Sequence, residues 1–460
     1  MMRIMYYIRK IKSILQLSEH DTTNEIVRSN ERYRRIFITG GGAIVARIIT
    51  MGTSLITVPL TLQYLGDERY GLWMTISSII ALMSFADLGL GNGLLNAVSK
   101  ANGYDNIKEA KIAITSTLIM LTGIAVILAI FFFIAYPFIS WQRIFNVSSK
   151  IAVAESGPAV MVFFMVFIIN MPLGIIRRIQ AGYQEGYIFH FWSTMGAILG
   201  LIGVLYCINL ELGLPWLILA FTGGPLVAEI VNWIVFFTYT NKSLLPRIRY
   251  FQYSVAKKLI KTGLIFFILT LFSLVGSSSD NIIIAQMLGP SSVAGYAIVQ
   301  KLFMFTMITQ FLIAPLWPAF GEALSRGDID WAKRTLKKGL KLSIGSCIVL
   351  ALPLLVFGRQ IIEMWVGAEF IPSWSLLVGF YLFIIFSSYK GMMSAFLNSG
   401  SLVGKQTIML GLSGTTAVLL KIYLSTKMGV SGVIWATLIG YGIFYIVPSY
   451  RLAFNHLKVV

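Results

Sequence analysis

Cysteine and histidine are scarce in this sequence of 460 residues: Cys207 and Cys347, and His20, His190 and His456. Both cysteines lie inside long apolar runs, which excludes a disulfide framework and reads as two lone core thiols. The histidines are scattered, so no metal site is predicted. Charge is also sparse, at 12% of residues, and acids number only 19. No Gly-rich phosphate loop with its lysine is present, and no Ser/His/Asp set has supporting context. The chain is therefore predicted to have no catalytic residues, no cofactor and no nucleotide domain, which excludes an ATP-driven pump. What it has in excess is apolar surface, 57% of residues.

That surface is organised in runs. Crossing a bilayer takes about 20 residues at 1.5 Å each. Twelve runs qualify, at 36–62, 70–98, 112–137, 154–176, 187–209, 214–240, 259–288, 293–320, 339–358, 372–391, 403–426 and 429–450. Nothing between them is large enough to fold as a soluble domain. The predicted fold class is an all-α polytopic membrane protein.

The formal charge of +18 first suggests nucleic acid, but position argues otherwise. With an inside start, 29 of the 37 Lys and Arg fall on cytoplasmic segments. Arg69, Arg143, Lys150, Arg359, Lys421 and Lys427 are counted to the periplasmic side. This bias is the positive-inside pattern and predicts that both termini are cytoplasmic. Nothing is left for nucleic acid to explain. Trp73, Trp141, Trp216, Trp331 and Trp374 are read as members of interfacial aromatic belts.

Residues 1–17 place Ile4, Ile8, Ile11 and Leu15 at helical spacing among Arg3, Arg9, Lys10 and Lys12. This fits either a helix on the anionic inner leaflet or a basic tail; residues 18–30 read as a linker. Further on, the chain repeats itself. Leu65-Gly66 matches Leu288-Gly289, and Ala97-Val-Ser-Lys100 matches Ala323-Leu-Ser-Arg326. Gln180-Ala-Gly182 matches Asn398-Ser-Gly400, and Gly213 matches Gly429. Four matches in one order and near one offset predict two homologous six-helix bundles running in the same direction. The expected organisation is a basic N-terminal segment 1–35, a bundle 36–240, a linker 241–258, a bundle 259–455 and a tail 456–460. Two such bundles would frame a central cavity for alternating access.

Ionisable groups within apolar runs are costly and mark function by default. Four stand out: Arg47, Asp87, Asp280 and Lys301. Helical rise puts Arg47 and Asp87 both about 18–20 Å from one membrane face, and Asp280 and Lys301 both about 12–14 Å from the other. Each couple is expected to share a level, either lining a polar path or forming a structural ion pair. Glu229 lies mid-span without an evident partner, either protonated and buried or a proton-coupling site. Arg177 and Arg178 end the fourth run, where a headgroup contact and simple topology both explain them. Lys390, at the inner end of the tenth run, allows the same two readings. Pro59, Pro225, Pro315 and Pro318 supply hinges.

Leu65-Gly-Asp-Glu-Arg-Tyr70-Gly-Leu-Trp73, followed by Asp87-Leu-Gly-Leu-Gly-Asn92, resembles the start of bacterial polysaccharide repeat-unit flippases of the O-antigen type. These share a superfamily with multidrug/toxin exporters and lipid II flippases. The resemblance implies a V-shaped pair of bundles whose cavity is lined by helices 1, 2, 7 and 8, the helices that carry the four charges. It implies transfer of undecaprenyl-diphosphate-linked oligosaccharide from the cytoplasmic to the periplasmic leaflet, for surface polysaccharide synthesis. Arg47, with Lys301, Arg177 and Arg178, would then hold the diphosphate. Asp87, Asp280 and Glu229 would neutralise those cations or carry a coupling H+ or Na+. A polysaccharide polymerase and a chain-length regulator are implied as further partners. The rival readings are a cation-coupled drug exporter on the same fold and a non-transporting scaffold of a polysaccharide-assembly complex.

Overall fold

The computed structural model describes residues 25–83, 86–145, 147–288, 290–304, 306, 310–400 and 402–459. The segment 1–17 lies outside the described residues. The helices are α1 (Glu25–Met83), α2 (Leu90–Gly103), α3 (Ile107–Ala135), α4 (Trp141–Phe145), α5 (Lys150–Leu173), α6 (Ile175–Gly182), α7 (Gly186–Asn209) and α8 (Leu214–Val235). After short turns follow α9 (Tyr253–Leu288), α10 (Pro290–Met304), α11 (Gln310–Ile313), α12 (Leu316–Ser325), α13 (Ile329–Val366), α14 (Trp374–Ser399), α15 (Val403–Met428), α16 (Val430–Tyr441) and α17 (Val447–Val459). No strand forms among the described residues. The protein is an all-α, multi-pass membrane protein. Nine helical segments among the described residues are long and apolar enough to cross a bilayer. The run expected at 70–98 is instead shared by the end of α1 and by α2, and that at 293–320 by α10, α11 and α12.

The chain separates into two compact units, one of Ile38–Leu264 and one of Ile265–Val460 joined by the residues up to Phe37. In the first unit, α7 and α8 pack through glycine. A Cβ at Gly224 would lie 2.3 Å from the Gly200 nitrogen, so the two backbones touch. Small residues permit such approach where hydrocarbon offers no hydrophobic drive between helices. The reciprocal amides of Gln180 and Asn232 bond each other, at 2.7 and 3.2 Å, and satisfy two buried polar groups at once.

The sequence signature 65–73 proves to be an anchor. Gly66 adopts φ 72°, a value that costs a side chain but suits glycine, and kinks α1 there. Beyond the kink, Arg69 donates two hydrogen bonds to Glu155, at 2.7 and 2.8 Å, and Glu155 also accepts from the Leu214 amide at 3.1 Å. Glu68 accepts from the Ser148 and Ser149 amides just ahead of α5, at 2.5 and 3.1 Å. Those bonds, Ser148 first, hold the Glu68 carboxyl at about 2. Trp73, expected in an interfacial belt, is only 2% exposed and packs edge-on against Phe221.

In the second unit the N-terminal turns of α1 are docked by charge, and residues 25–30 are helix rather than linker. Arg32 is 3% exposed, donates to Glu322 and donates to Asp328 at 2.6 Å. Arg28 reaches the other Asp328 oxygen at 3.2 Å, and Arg326 bonds Glu322. The Arg32 guanidinium lies 4.9 Å from the Trp331 ring centre. Trp331 is therefore core, not belt; Trp216 and Trp374 are exposed as expected. Burial would raise the Asp328 pKa, but bonds from Arg32 and then Arg28 outweigh it and hold it low. The cation excess of residues 1–35 thus has a structural share that topology alone did not show.

Arg32→Ala leaves Glu322 and Asp328 buried without their shared cation. It is expected to cost about 3–5 kcal/mol, read as a lowered unfolding temperature of the purified protein. The carboxyls of Glu68 and Asp328 are held low, so their contribution is whole above the ordinary carboxylate range. It is lost as pH falls through the folded values, near 2 for Glu68. The stability advantage of the wild type over Glu68→Gln is expected to be whole above the ordinary carboxylate range and to close as pH falls toward about 2, read by unfolding across an acid titration.

Candidate functional site

Helix α2 begins inside an apolar run, and the turn before it explains how. Asp87 Oδ1 accepts from the Gly89 amide at 2.9 Å, and the Asp87 carbonyl accepts from the Leu90 amide at 2.9 Å. Leu88 (φ 50°) and Gly89 (φ 71°) turn through the left-handed region, an unfavourable setting for the leucine. Such irregular backbone survives at membrane depth only where protein or water meets its polar groups. Gly263 lies against this turn; a Cβ there would come within 2.9 Å of the Leu88 carbonyl.

The same carboxylate faces an arginine. A Cβ on Gly91 would stand 3.0 Å from Asp87 Oδ2 and 3.1 Å from Arg178 Nε, so the missing side chain leaves room for the two to approach. Asp87 and Arg178 interact electrostatically, as do Arg178 and Arg177. Arg177 Nε lies 3.3 Å from Glu229. The order Asp87, Arg178, Arg177, Glu229 joins the turn before α2 to α6 and α8, two adjacent cations flanked by two acids. The most accessible of the four is Arg177, whose side chain is 45% exposed against 13% for Glu229. Arg177 is thus an exposed guanidinium held toward a carboxylate, with Arg178 beside it in sequence.

Arg47 stands apart. It is exposed on α1, and no acid lies within ion-pair distance among the described residues. It lines a groove of about 400 Å³ with Thr50, Met51, Ser54, Val58 and Pro59. The Thr50 and Ser54 hydroxyls donate back to the carbonyls of Ala46 and Thr50, which leaves their oxygens free to accept. The expected neutralisation of Arg47 by Asp87 is thus replaced by Asp87 with Arg178.

The second unit reassigns its couple as well. Asp280 pairs with Lys421 at 2.5 Å, not with Lys301, and accepts from the Tyr296 hydroxyl at 2.6 Å. Lys421 was counted among the outer-side cations, yet its side chain is 0% exposed, because α15 continues to Met428. Lys301 is exposed in the last turn of α10, where the helix C-terminus favours a cation. Lys390 lies over the Tyr441 ring, 5.1 Å from its centre. Among the described residues no cluster of His, Cys, Asp and Glu is suited to a metal ion.

Residues 41–324, more than half of the chain, match the family described as polysaccharide biosynthesis protein. This protein belongs to that family. It is 23% identical over 423 residues to a Salmonella typhimurium protein named for O-antigen transport, covering 88% of this chain and 93% of that one. A Yersinia pseudotuberculosis protein named for O-antigen export is 22% identical over 367 residues, 77% and 79% of the two chains. Among solved structures, a MATE protein in its bent conformation superposes with a TM-score of 0.80 at 14% identity, covering 95% of this chain and 99% of that one. A MOP superfamily transporter from Pyrococcus furiosus gives 0.75 at 14% identity, with 93% and 96% covered. The polysaccharide biosynthesis family member described here therefore has the MATE fold.

Asp87→Asn keeps an oxygen for the Gly89 amide but removes the charge facing Arg178; Asp87→Ala removes both. The Ala variant is expected to lose stability, through the lost turn bond to Gly89 and the lost charge facing Arg178. The Asn variant is expected to lose less. Denaturation midpoints of the two variants against wild type check the order.

Proposed function

We propose that this protein moves an oligosaccharide carried on undecaprenyl diphosphate from the cytoplasmic to the periplasmic leaflet of the inner membrane. In this reading both termini are cytoplasmic, as the Lys/Arg bias suggests, and the cycle is alternating access without covalent chemistry. The observation that carries it is Arg47: an exposed cation with no acid partner among the described residues, at hydrocarbon depth, in a groove edged by two hydroxyls. A guanidinium facing lipid is costly, so this face of α1 has to meet water or a polar cargo. A diphosphate suits it, because the planar fork binds phosphate oxygens two at a time. Sugars suit Thr50 and Ser54, and the polyprenyl chain has no reason to leave the lipid.

The remaining site residues take roles around this one. Arg177, half-exposed and backed by Glu229, is the first cation an anionic headgroup would meet at the cytoplasmic end. Arg178 is held by Asp87 and steadies it, and Lys301 offers a cation in the second unit. The names of the Salmonella and Yersinia relatives point the same way. A drug exporter of this fold would want net acid in its groove, whereas Asp87, Glu229 and Asp280 are all engaged by cations.

Surface polysaccharide from cells carrying Arg47 variants, with protein level followed by immunoblot, tests the reading. Charge-assisted contacts to one arginine are worth about 1.5–3 kcal/mol, or roughly 10- to 100-fold. Arg47→Ala is expected to lose export by that factor at normal abundance, and Arg47→Lys to recover part of it. Near-normal export in Arg47→Ala would sink the diphosphate role.

A further inference from the structure

The second unit carries an open groove that the charge clusters and the proposed cargo contacts leave unused. It holds about 450 Å³, within the range of ligand sites, and is lined by Ile344 of α13, Leu382 and Ile385 of α14, Ile439 of α16 and Ile446. Its two polar-tipped residues have spent their tips on the protein. Tyr389 donates its hydroxyl to the Ile446 carbonyl at 2.8 Å, and the Trp435 indole donates to Ser375 at 3.0 Å. What remains for an occupant is hydrocarbon surface, and Leu382, Ile439 and Ile446 are each more than a third exposed. Ile446 ends a π turn, Gly442–Ile446, set between α16 and α17. Such turns are rare and concentrate at functional sites.

Two tracks lead from this groove to the same cation. Along α13, Lys341 lies three residues before Ile344 and Lys337 seven, about 4.5 and 10.5 Å toward the helix start. Seven residues return to within about 20° of the same face. Along α17, Ile446, Tyr450 and Phe454 recur every fourth residue. The Tyr450 and Phe454 ring centres lie 4.4 Å apart, and the Lys337 ammonium stands 5.8 Å from the Phe454 ring centre. Lys337 and Lys341 are exposed, and neither has an acid within ion-pair distance among the described residues. Membrane topology explains cations at this end of α13, but not their alignment below an apolar groove. We propose that the groove binds an anionic phospholipid. One acyl chain lies against Ile344, Ile385 and Ile439, and the phosphate sits between Lys337 and Lys341. Basic positions beside membrane helices bind acidic headgroups in this manner. An ammonium is a point charge and suits a single phosphate, whereas the cargo's diphosphate suits the guanidinium fork of Arg47. Bound there, the lipid bridges α13, α14 and α16 and covers the π turn. Only the choice of leaflet rests on the transport reading, which turns this end of α13 to the cytoplasm.

Native mass spectrometry of the full chain, titrated in detergent with dioleoylphosphatidylglycerol or dioleoylphosphatidylcholine, tests the site. Wild type is expected to retain phosphatidylglycerol in preference. Each lysine is worth about fivefold, so Lys337→Gln/Lys341→Gln is expected to bind that lipid roughly 30-fold more weakly and to lose the preference. Ile439→Trp fills the groove with both lysines in place and is expected to release the same lipid. All three side chains are exposed, and unfolding temperatures measured without added lipid are expected to stay close to wild type. Equal retention of the two lipids by wild type means annular lipid only and overturns the proposal, as does an unchanged preference in the lysine variant. Displacement of phosphatidylglycerol by an equal concentration of undecaprenyl phosphate would assign the groove to the cargo and overturn it too. Arg47→Ala is expected to keep the lipid, so failure of the diphosphate reading and failure of this one are distinguishable.

Discussion

Charge in hydrocarbon is the constraint to which the rest of this structure answers. Each ionisable side chain at depth has to be neutralised, laid on an aromatic face, or turned toward a polar path. Arg178 has Asp87, Arg177 has Glu229 and Lys421 has Asp280. Lys390 has the face of Tyr441. Arg47 and Lys301 are left exposed. Backbone irregularity follows the same economy: the Asp87–Gly89 turn interrupts an apolar run, and Asp87 supplies both the turn's acceptor and the charge for Arg178. Here α2 begins at Leu90 and α10 ends at Met304, each inside a run long enough to span.

Two other ion-pair sets do mechanical work at helix ends. Arg69 and Glu68 tie the kink within α1 to α5 and α8. Arg28 and Arg32 fix the first turns of α1 on Glu322 and Asp328. The signature that carries the family resemblance, residues 65–73, belongs to the first set. Its charges scaffold α1, the helix that presents Arg47.

The fold class was legible because hydropathy is a local property: twelve runs and their charge bias are read directly along the chain. The identity of the charged residues was legible for the same reason, since an arginine in an apolar run needs no neighbour to look odd. Pairing was not. Depth along a helix put Arg47 with Asp87 and Asp280 with Lys301, but depth is one coordinate, and rotation about each helix decides which side chains meet. Lys421 shows this most clearly. It lies eight residues before Gly429 and was counted to the periplasmic side, though it pairs with Asp280. Gly91 was the available signal for the Asp87–Arg178 approach, but a glycine among glycines does not announce which partner it admits.

The central claim is that the exposed cation of α1, Arg47, serves a lipid-linked sugar diphosphate. The most direct measurement is mass spectrometry of the undecaprenyl-diphosphate-linked saccharide pool in cells lacking this protein. The account predicts that completed repeat units accumulate while surface polysaccharide is lost, with the sugar identified by its mass. An unchanged pool accompanied by altered drug sensitivity would contradict it.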